Sequence, residues 1–161
     1  VGYGQTAWSL RIDERVVLRE RTNLRRLSAA ELYGPDDVIP TLAVADVSFI
    51  SLALVLPAIR FLLRPQGSEA LLLVKPQFEV GRDRVGKGGV VRDGLAHRDA
   101  IASVISAADS LGWNAQGVVG SPITGPAGNH EYLLWLSELE PQQISDEKVQ
   151  QVVQDTLESE S

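Results

Sequence analysis

The sequence predicts an α/β domain with a mainly parallel sheet. Short apolar runs at residues 41–45 and 70–74 end on charged residues, Asp46 and Lys75, and each leads toward a segment of helical character. The second run is apolar at every position, the pattern of a strand covered on both faces, which calls for helices on either side of a sheet. At 161 residues and 44% hydrophobic composition, the chain has the size of one domain with a sizeable core.

Taken in order, residues 5–11 read as a short helix after a glycine turn, and residues 16–18 (Val, Val, Leu) as a short strand running into Glu20, Arg21, Thr22 and Asn23. Ser28 followed three positions later by Glu31 matches a capping box and opens a brief helix. After the strand at 41–45, residues 52–63 form a helix that Pro57 perturbs by removing one backbone donor. Residues 76–94, with five glycines among charges, read as a long mobile loop of the kind kept for function. Ile101, Val104, Ile105, Ala108 and Leu111 recur at helical spacing and Gly112 closes that helix. Val118, Val119 and residues 132–136 supply the last strands. The domain runs over residues 1–139, and residues 140–161 form an acidic, glutamine-rich tail, helical or disordered.

Composition excludes several classes. With no cysteine there is neither a disulfide framework nor thiolate-held metal, and the chain suits a reducing, cytoplasmic setting. The longest apolar stretch, residues 49–63, is interrupted by Ser51, Pro57 and Arg60 and falls short of the ~20 residues that span a bilayer. Residues 1–4 do not resemble a signal peptide, and the absence of any methionine marks the chain as a piece of something longer. The net charge of −6 is unevenly spread. Residues 1–100 hold 14 Lys and Arg against 12 Asp and Glu (+2), whereas residues 101–161 hold 1 against 9 (−8). The half with the candidate chemistry is therefore mildly basic, with Arg82, Arg84 and Lys87 in its glycine loop as candidates for contacting a phosphate-bearing partner.

Strand ends are where open α/β sheets place their chemistry. Asp46, Lys75 and Glu131 each sit at or beside one, so a carboxylate, an amine and a second carboxylate can meet at one rim. Singly, each has a plainer reading: Asp46 as a helix cap, Lys75 as a solvated strand end, Glu131 as a solvated strand start. Residues 81–88 follow P-loop spacing until Gly88, where the hydroxyl that holds magnesium is absent, and no helix opens there. His97 and His130 lack metal-ligand spacing and read as surface or supporting residues, so no metal is expected. Trp8, Trp113 and Trp135 read as core.

The blocks VGYGQ at 1–5, ERTN at 20–23, ADVSFIS at 45–51, VKPQFEVG at 74–81, GGVV at 88–91 and GNHEY at 128–132 closely resemble the TlyA family over residues 1–137. These haemolysin-A-like proteins belong with the FtsJ-type RNA 2′-O-methyltransferases. The resemblance implies a Rossmann-like class I methyltransferase sheet, incomplete on its N-terminal side. It further implies S-adenosylmethionine as methyl donor and the ribose of a ribosomal-RNA cytidine as acceptor. Of the family's Lys-Asp-Lys-Glu tetrad, Asp46, Lys75 and Glu131 match the last three members, and the first lysine is expected upstream. By the same resemblance Gly2, Tyr3, Asn23, Asp46 and Val47 line the cofactor, with Lys75 as base, Asp46 orienting it and the methyl donor, and Glu131 orienting the lysines and ribose. The two strands expected upstream would lie between the strand at Val16 and the strand at 41–45, so residues 16–20 are expected to be displaced or weakly paired. An amine serves as base only where burial or a neighbouring cation lowers its hold on the proton, and an adjacent carboxylate works in the opposite sense. The competing readings are a non-catalytic RNA-binding or ribosome-assembly module and a membrane-active haemolysin.

Overall fold

The computed structural model describes residues 4–159, so the expectations for Gly2 and Tyr3 lie outside the described residues. After helix α1 (Trp8–Arg11) and the one-turn α2 (Ala29–Leu32), the chain alternates β1 (Leu42–Ala45), α3 (Leu52–Leu62), β2 (Glu69–Val74), α4 (Pro76–Glu79) and α5 (Gly94–Asp109). It closes with β3 (Asn114–Gly120), β4 (Tyr132–Ser137) and α6 (Asp146–Glu158). The four strands form one sheet in the order β1-β2-β4-β3. β1 and β2 are parallel, and β4 is inserted antiparallel between β2 and β3, so β3 runs with the first two. Val74 pairs with Tyr132 and Gly120 pairs with Tyr132 on its other side, which sets the end of β2, the end of β3 and the start of β4 on one rim.

A single core lies on one face of this sheet. Ala45, Ala70, Leu72, Val74, Ala115, Val118, Leu134 and Leu136 point into it and meet Leu52, Val55, Leu56 and Ile59 of α3, Ile101 and Val104 of α5, and Val149, Val152 and Val153 of α6. The helix α3 continues through Pro57, the burial of Leu52, Val55, Leu56, Ile59 and Leu62 offsetting the lost backbone hydrogen bond. Helix α6 comes close enough to β3 that a Cβ on Gly120 would lie 2.2 Å from Thr156 Oγ1, so glycine is required there.

The other face is open. Burial along β2 alternates, with Ala70, Leu72 and Val74 fully buried and Leu71 and Leu73 only half-buried. Val44 and Trp135, which flank Leu71, are exposed, as is Val119 beyond Leu133. The continuous apolar run at 70–74 therefore does not mean burial on both faces: among the described residues the helices lie on one side. Trp113 is core at 0% exposure, but Trp8 is 73% and Trp135 45% exposed, which corrects the reading of all three as core.

Residues 16–18 form no strand. A strand exists only through its ladder, and β1 is the edge of the sheet among the described residues, so Val16, Val17 and Leu18 pair with nothing and remain exposed. The segment is held instead by polar contacts, Glu20 taking Arg11 and the Gly4 amide, and Arg19 donating to Glu31 O at 2.7 Å. The capping box is present: Glu31 Oε2 accepts from Ser28 N at 2.9 Å and from Ser28 Oγ at 2.6 Å.

Candidate active site

The rim where β2 ends is organised by the single turn of α4. Pro76 at its first position fixes the backbone angle a helix needs and sacrifices no helical hydrogen bond. From that turn three polar side chains reach three different segments. Lys75, immediately before it, reaches the end of β1: its Nζ lies 2.6 Å from Asp46 Oδ1 and donates to Ser48 Oγ at 3.1 Å. Gln77 reaches the start of β4, its Nε2 donating to Glu131 Oε1 at 3.1 Å. Glu79 reaches the start of α3, accepting from Ser51 Oγ at 2.6 Å and from the Leu52 amide at 2.8 Å. A carboxylate at a helix N-terminus satisfies a free amide and meets the positive end of the dipole. Burial nevertheless pushes the Glu79 carboxyl above the usual range, those two hydrogen bonds opposing it.

Asp46, Lys75 and Glu131 thus share a rim, but not one cluster of charge. Asp46 and Lys75 form a contact pair in which the aspartate side chain is 67% exposed and the lysine 12%. Glu131 is buried, at 7% exposure, and among the described residues no ion pair reaches it. Its carboxylate rests against Gly125, where a Cβ would come within 2.9 Å of Oε1, and its backbone carbonyl accepts from Ser121 N at 2.8 Å. The reading of Glu131 as a solvated strand start is thereby corrected.

The loop at 76–94 is fastened rather than free. Asn129, 3% exposed, accepts from the Val91 amide at 3.0 Å and donates to Gly89 O at 2.9 Å, tying the glycine run to the start of β4. Arg84 is spent on Asp99 at 2.7 Å and Asp93 at 3.2 Å, and its guanidinium holds the Asp93 carboxyl below its ordinary value. Arg82 and Lys87 are exposed on the same loop. His97 is fully buried, not at the surface. Its Nε2 lies 2.9 Å from Val91 O, which can only accept, so the proton is on Nε2 and Nδ1 accepts from the Tyr132 hydroxyl at 2.9 Å. Burial lowers the His97 pKa and raises that of Tyr132. No cluster of potential metal ligands occurs among the described residues.

Sequence reasoning missed Phe49. It is 90% exposed, holds a left-handed φ of 63°, and packs its ring on Phe78 with centroids 5.1 Å apart. A phenylalanine in that backbone region is strained, and strained residues gather at functional sites. Its signal in the sequence was its place three residues after Asp46.

The FtsJ-like methyltransferase profile matches residues 1–138. The chain belongs to that family, in its TlyA branch. It is 51% identical over 136 residues to the 16S/23S rRNA (cytidine-2′-O)-methyltransferase TlyA of Mycobacterium tuberculosis, covering 84% of this chain and 49% of that protein. It is 48% identical over 159 residues to YqxC of Bacillus subtilis, a candidate rRNA methyltransferase, covering 96% of this chain and 55% of that protein. The solved structure of a candidate hemolysin from Lactococcus lactis superposes with a TM-score of 0.84 at 38% identity, covering 96% of this chain and 72% of that one. The chain spans about half the length of the curated relatives it matches. The Rossmann-like assignment of the sheet is established by these matches, and family names containing hemolysin denote the same fold. No helix among the described residues is long and apolar enough to cross a membrane.

The residues present fit the family's methyl donor in part. An aspartate two-thirds exposed at the carboxyl rim suits the cationic end of S-adenosylmethionine. Asn23 is less suited to the adenosine end, because its Oδ1 already caps the turn at residues 24–26 by accepting from Arg25 N at 3.1 Å. Two surface grooves of about 400 and 430 Å³ lie between α5 and α6 and are not lined by Asn23, Asp46 or Val47.

Proposed function

We propose that the protein to which this chain belongs is an S-adenosylmethionine-dependent 2′-O-methyltransferase of ribosomal RNA, acting on a cytidine ribose in the cytoplasm. The observation that carries this reading is the Lys75–Asp46 pair at 2.6 Å on the rim that also bears Glu131. The name and 51% identity of the M. tuberculosis relative support the substrate class.

The methyl donor supplies an electrophilic carbon on a positively charged sulfur. What remains for the protein is to align the ribose oxygen with that carbon and to take its proton as the new C–O bond forms. Lys75 is held by two acceptors, Asp46 and Ser48, so its amine points to one place, and it is the group we assign as base, the family's first lysine being the neighbouring cation that this role requires. Asp46 orients that amine and lies open to a cationic donor, and the buried Glu131 orients the ribose from the opposite side. Phe49, exposed and backed by Phe78, offers a face on which the unstacked base can lie. Arg82 and Lys87 are exposed cations of the loop available to phosphates, whereas Arg84 is engaged as a latch.

For the 161-residue chain alone we infer neither useful cofactor binding nor methyl transfer, because Asn23, expected at the adenosine end, already spends its Oδ1 on the Arg25 amide. Titration calorimetry with S-adenosylmethionine checks this, first on the chain and then on the full-length protein. Micromolar binding by the chain alone would contradict the placement of the cofactor. Transfer of labelled methyl from S-adenosylmethionine to ribosomal RNA by the full-length protein, with none onto RNA already 2′-O-methylated, is the positive test. A protein that binds RNA without any cofactor-dependent signal would instead be an assembly module.

A further inference from the structure

We propose that Gln77 is a positioning residue that fixes the orientation of Glu131, a role that rests on the methyltransferase reading of the rim. Glu131 needs such a partner. It is buried, no cation reaches it among the described residues, and Gly125 leaves its carboxylate just enough room on one side. The Gln77 amide supplies the hydrogen bond, at 3.1 Å.

The other end of the same amide shows what fixes it. Gln77 Oε1 is buried and has no hydrogen-bond partner. An orphaned buried acceptor costs about 1–3 kcal/mol, which packing alone would avoid by carrying leucine here. Turning the amide over would give no relief, since it would set the carbonyl oxygen against an acceptor-only carboxylate. The amide is therefore locked in the one orientation that serves Glu131. Because Gln77 lies two residues after Lys75 on the one-turn α4, whose first position is Pro76, the same rigid turn sets the amine on one side of the site and the carboxylate on the other. The spacing between the two is then a property of α4, not of two independent strand ends.

The test is a double-mutant cycle in the full-length protein. Gln77→Leu is expected to lower kcat for methyl transfer by about tenfold or more, with the KM for RNA and the cofactor affinity changed less than about twofold, as for loss of alignment rather than of binding. Gln77→Asn, too short to reach Glu131, is expected to behave like Gln77→Leu. In a Glu131→Ala background the same substitutions should change kcat by less than about twofold. Equal losses in the two backgrounds, or full activity of Gln77→Leu, would overturn the proposal. A readout free of catalysis keeps it separate from the methyltransferase reading: the side-chain amide resonances of Gln77 in ¹⁵N-labelled protein should move on Glu131→Ala and stay put on Asp46→Asn. If wild-type protein transfers no methyl group, the functional reading fails; if the amide ignores Glu131→Ala, the positioning role fails.

Discussion

The two sides of the candidate site are built differently. On one, the largely covered Lys75 faces Asp46, which lies mostly in water, so the aspartate charge is solvated and the attraction is screened. On the other, Glu131 is shut away beneath Gly125 and held by a neutral amide. The difference teaches which side can be altered without harming the fold. Removing an exposed partner changes chemistry, while removing a buried hydrogen-bonded one also leaves a polar group stranded.

Two substitutions in the full-length protein sharpen that contrast most. Lys75→Ala should cut methyl transfer ~10²-fold or more, the scale for losing a positioned base, with cofactor affinity nearly intact. Its unfolding free energy should change little. Glu131→Ala should also impair transfer but in addition lower stability by about 1–3 kcal/mol, since the Gln77 amide then loses its acceptor. Chemical denaturation of both variants checks this. Equal destabilisation by the two would erase the distinction between an open and a buried side.

A next-smaller effect is expected at Phe49. Stacking of a base on an aromatic ring is worth about 1–3 kcal/mol, so Phe49→Ala should weaken RNA binding or turnover by roughly one to two orders of magnitude while leaving cofactor binding alone. Titration of both ligands separates the outcomes, and loss of cofactor affinity would place Phe49 elsewhere in the mechanism.

The buried side has a pH signature of its own. Burial lowers the pKa of His97 in the folded state, so between that value and the unfolded value near 6.5 the unfolded chain binds one more proton. Stability should therefore fall as pH drops below about 6.5, with His97 contributing at most about 1.4 kcal/mol per pH unit. His97→Phe should flatten that slope in pH-dependent denaturation. An unchanged slope would mean that His97 binds its proton equally in the folded and unfolded states over this range.

The smallest effect concerns the loop cations. Lys87→Ala should weaken RNA binding uniformly and reduce its salt dependence by about one phosphate contact. Arg84→Ala should instead loosen the loop, seen as faster amide exchange at Val91, because Arg84 is occupied by Asp93 and Asp99. The reverse pattern would mean that Arg84 leaves its carboxylates to meet RNA.

Much of the site was legible because it follows from where apolar runs stop. Asp46 and Lys75 are the first charges after strands, and that position survives folding unchanged. What the sequence hid depends on contacts without periodicity. Asn129 meets Val91 across 38 positions and Gln77 meets Glu131 across 54, distances at which no pattern of spacing operates. The strand read at residues 16–18 failed for a related reason, since local β propensity cannot supply a ladder partner. The glycine loop was misread as mobile because composition shows the glycines and not the amide and guanidinium that fasten them.

The central claim, that this rim serves ribose methylation of ribosomal RNA, is tested most directly by mass spectrometry of ribosomal RNA from cells with the full gene, without it, and with the gene carrying Lys75→Ala. The account predicts that 2′-O-methylcytidine at the target position is present in the first and absent from the other two. An unchanged ribose-methylation pattern in all three would contradict it.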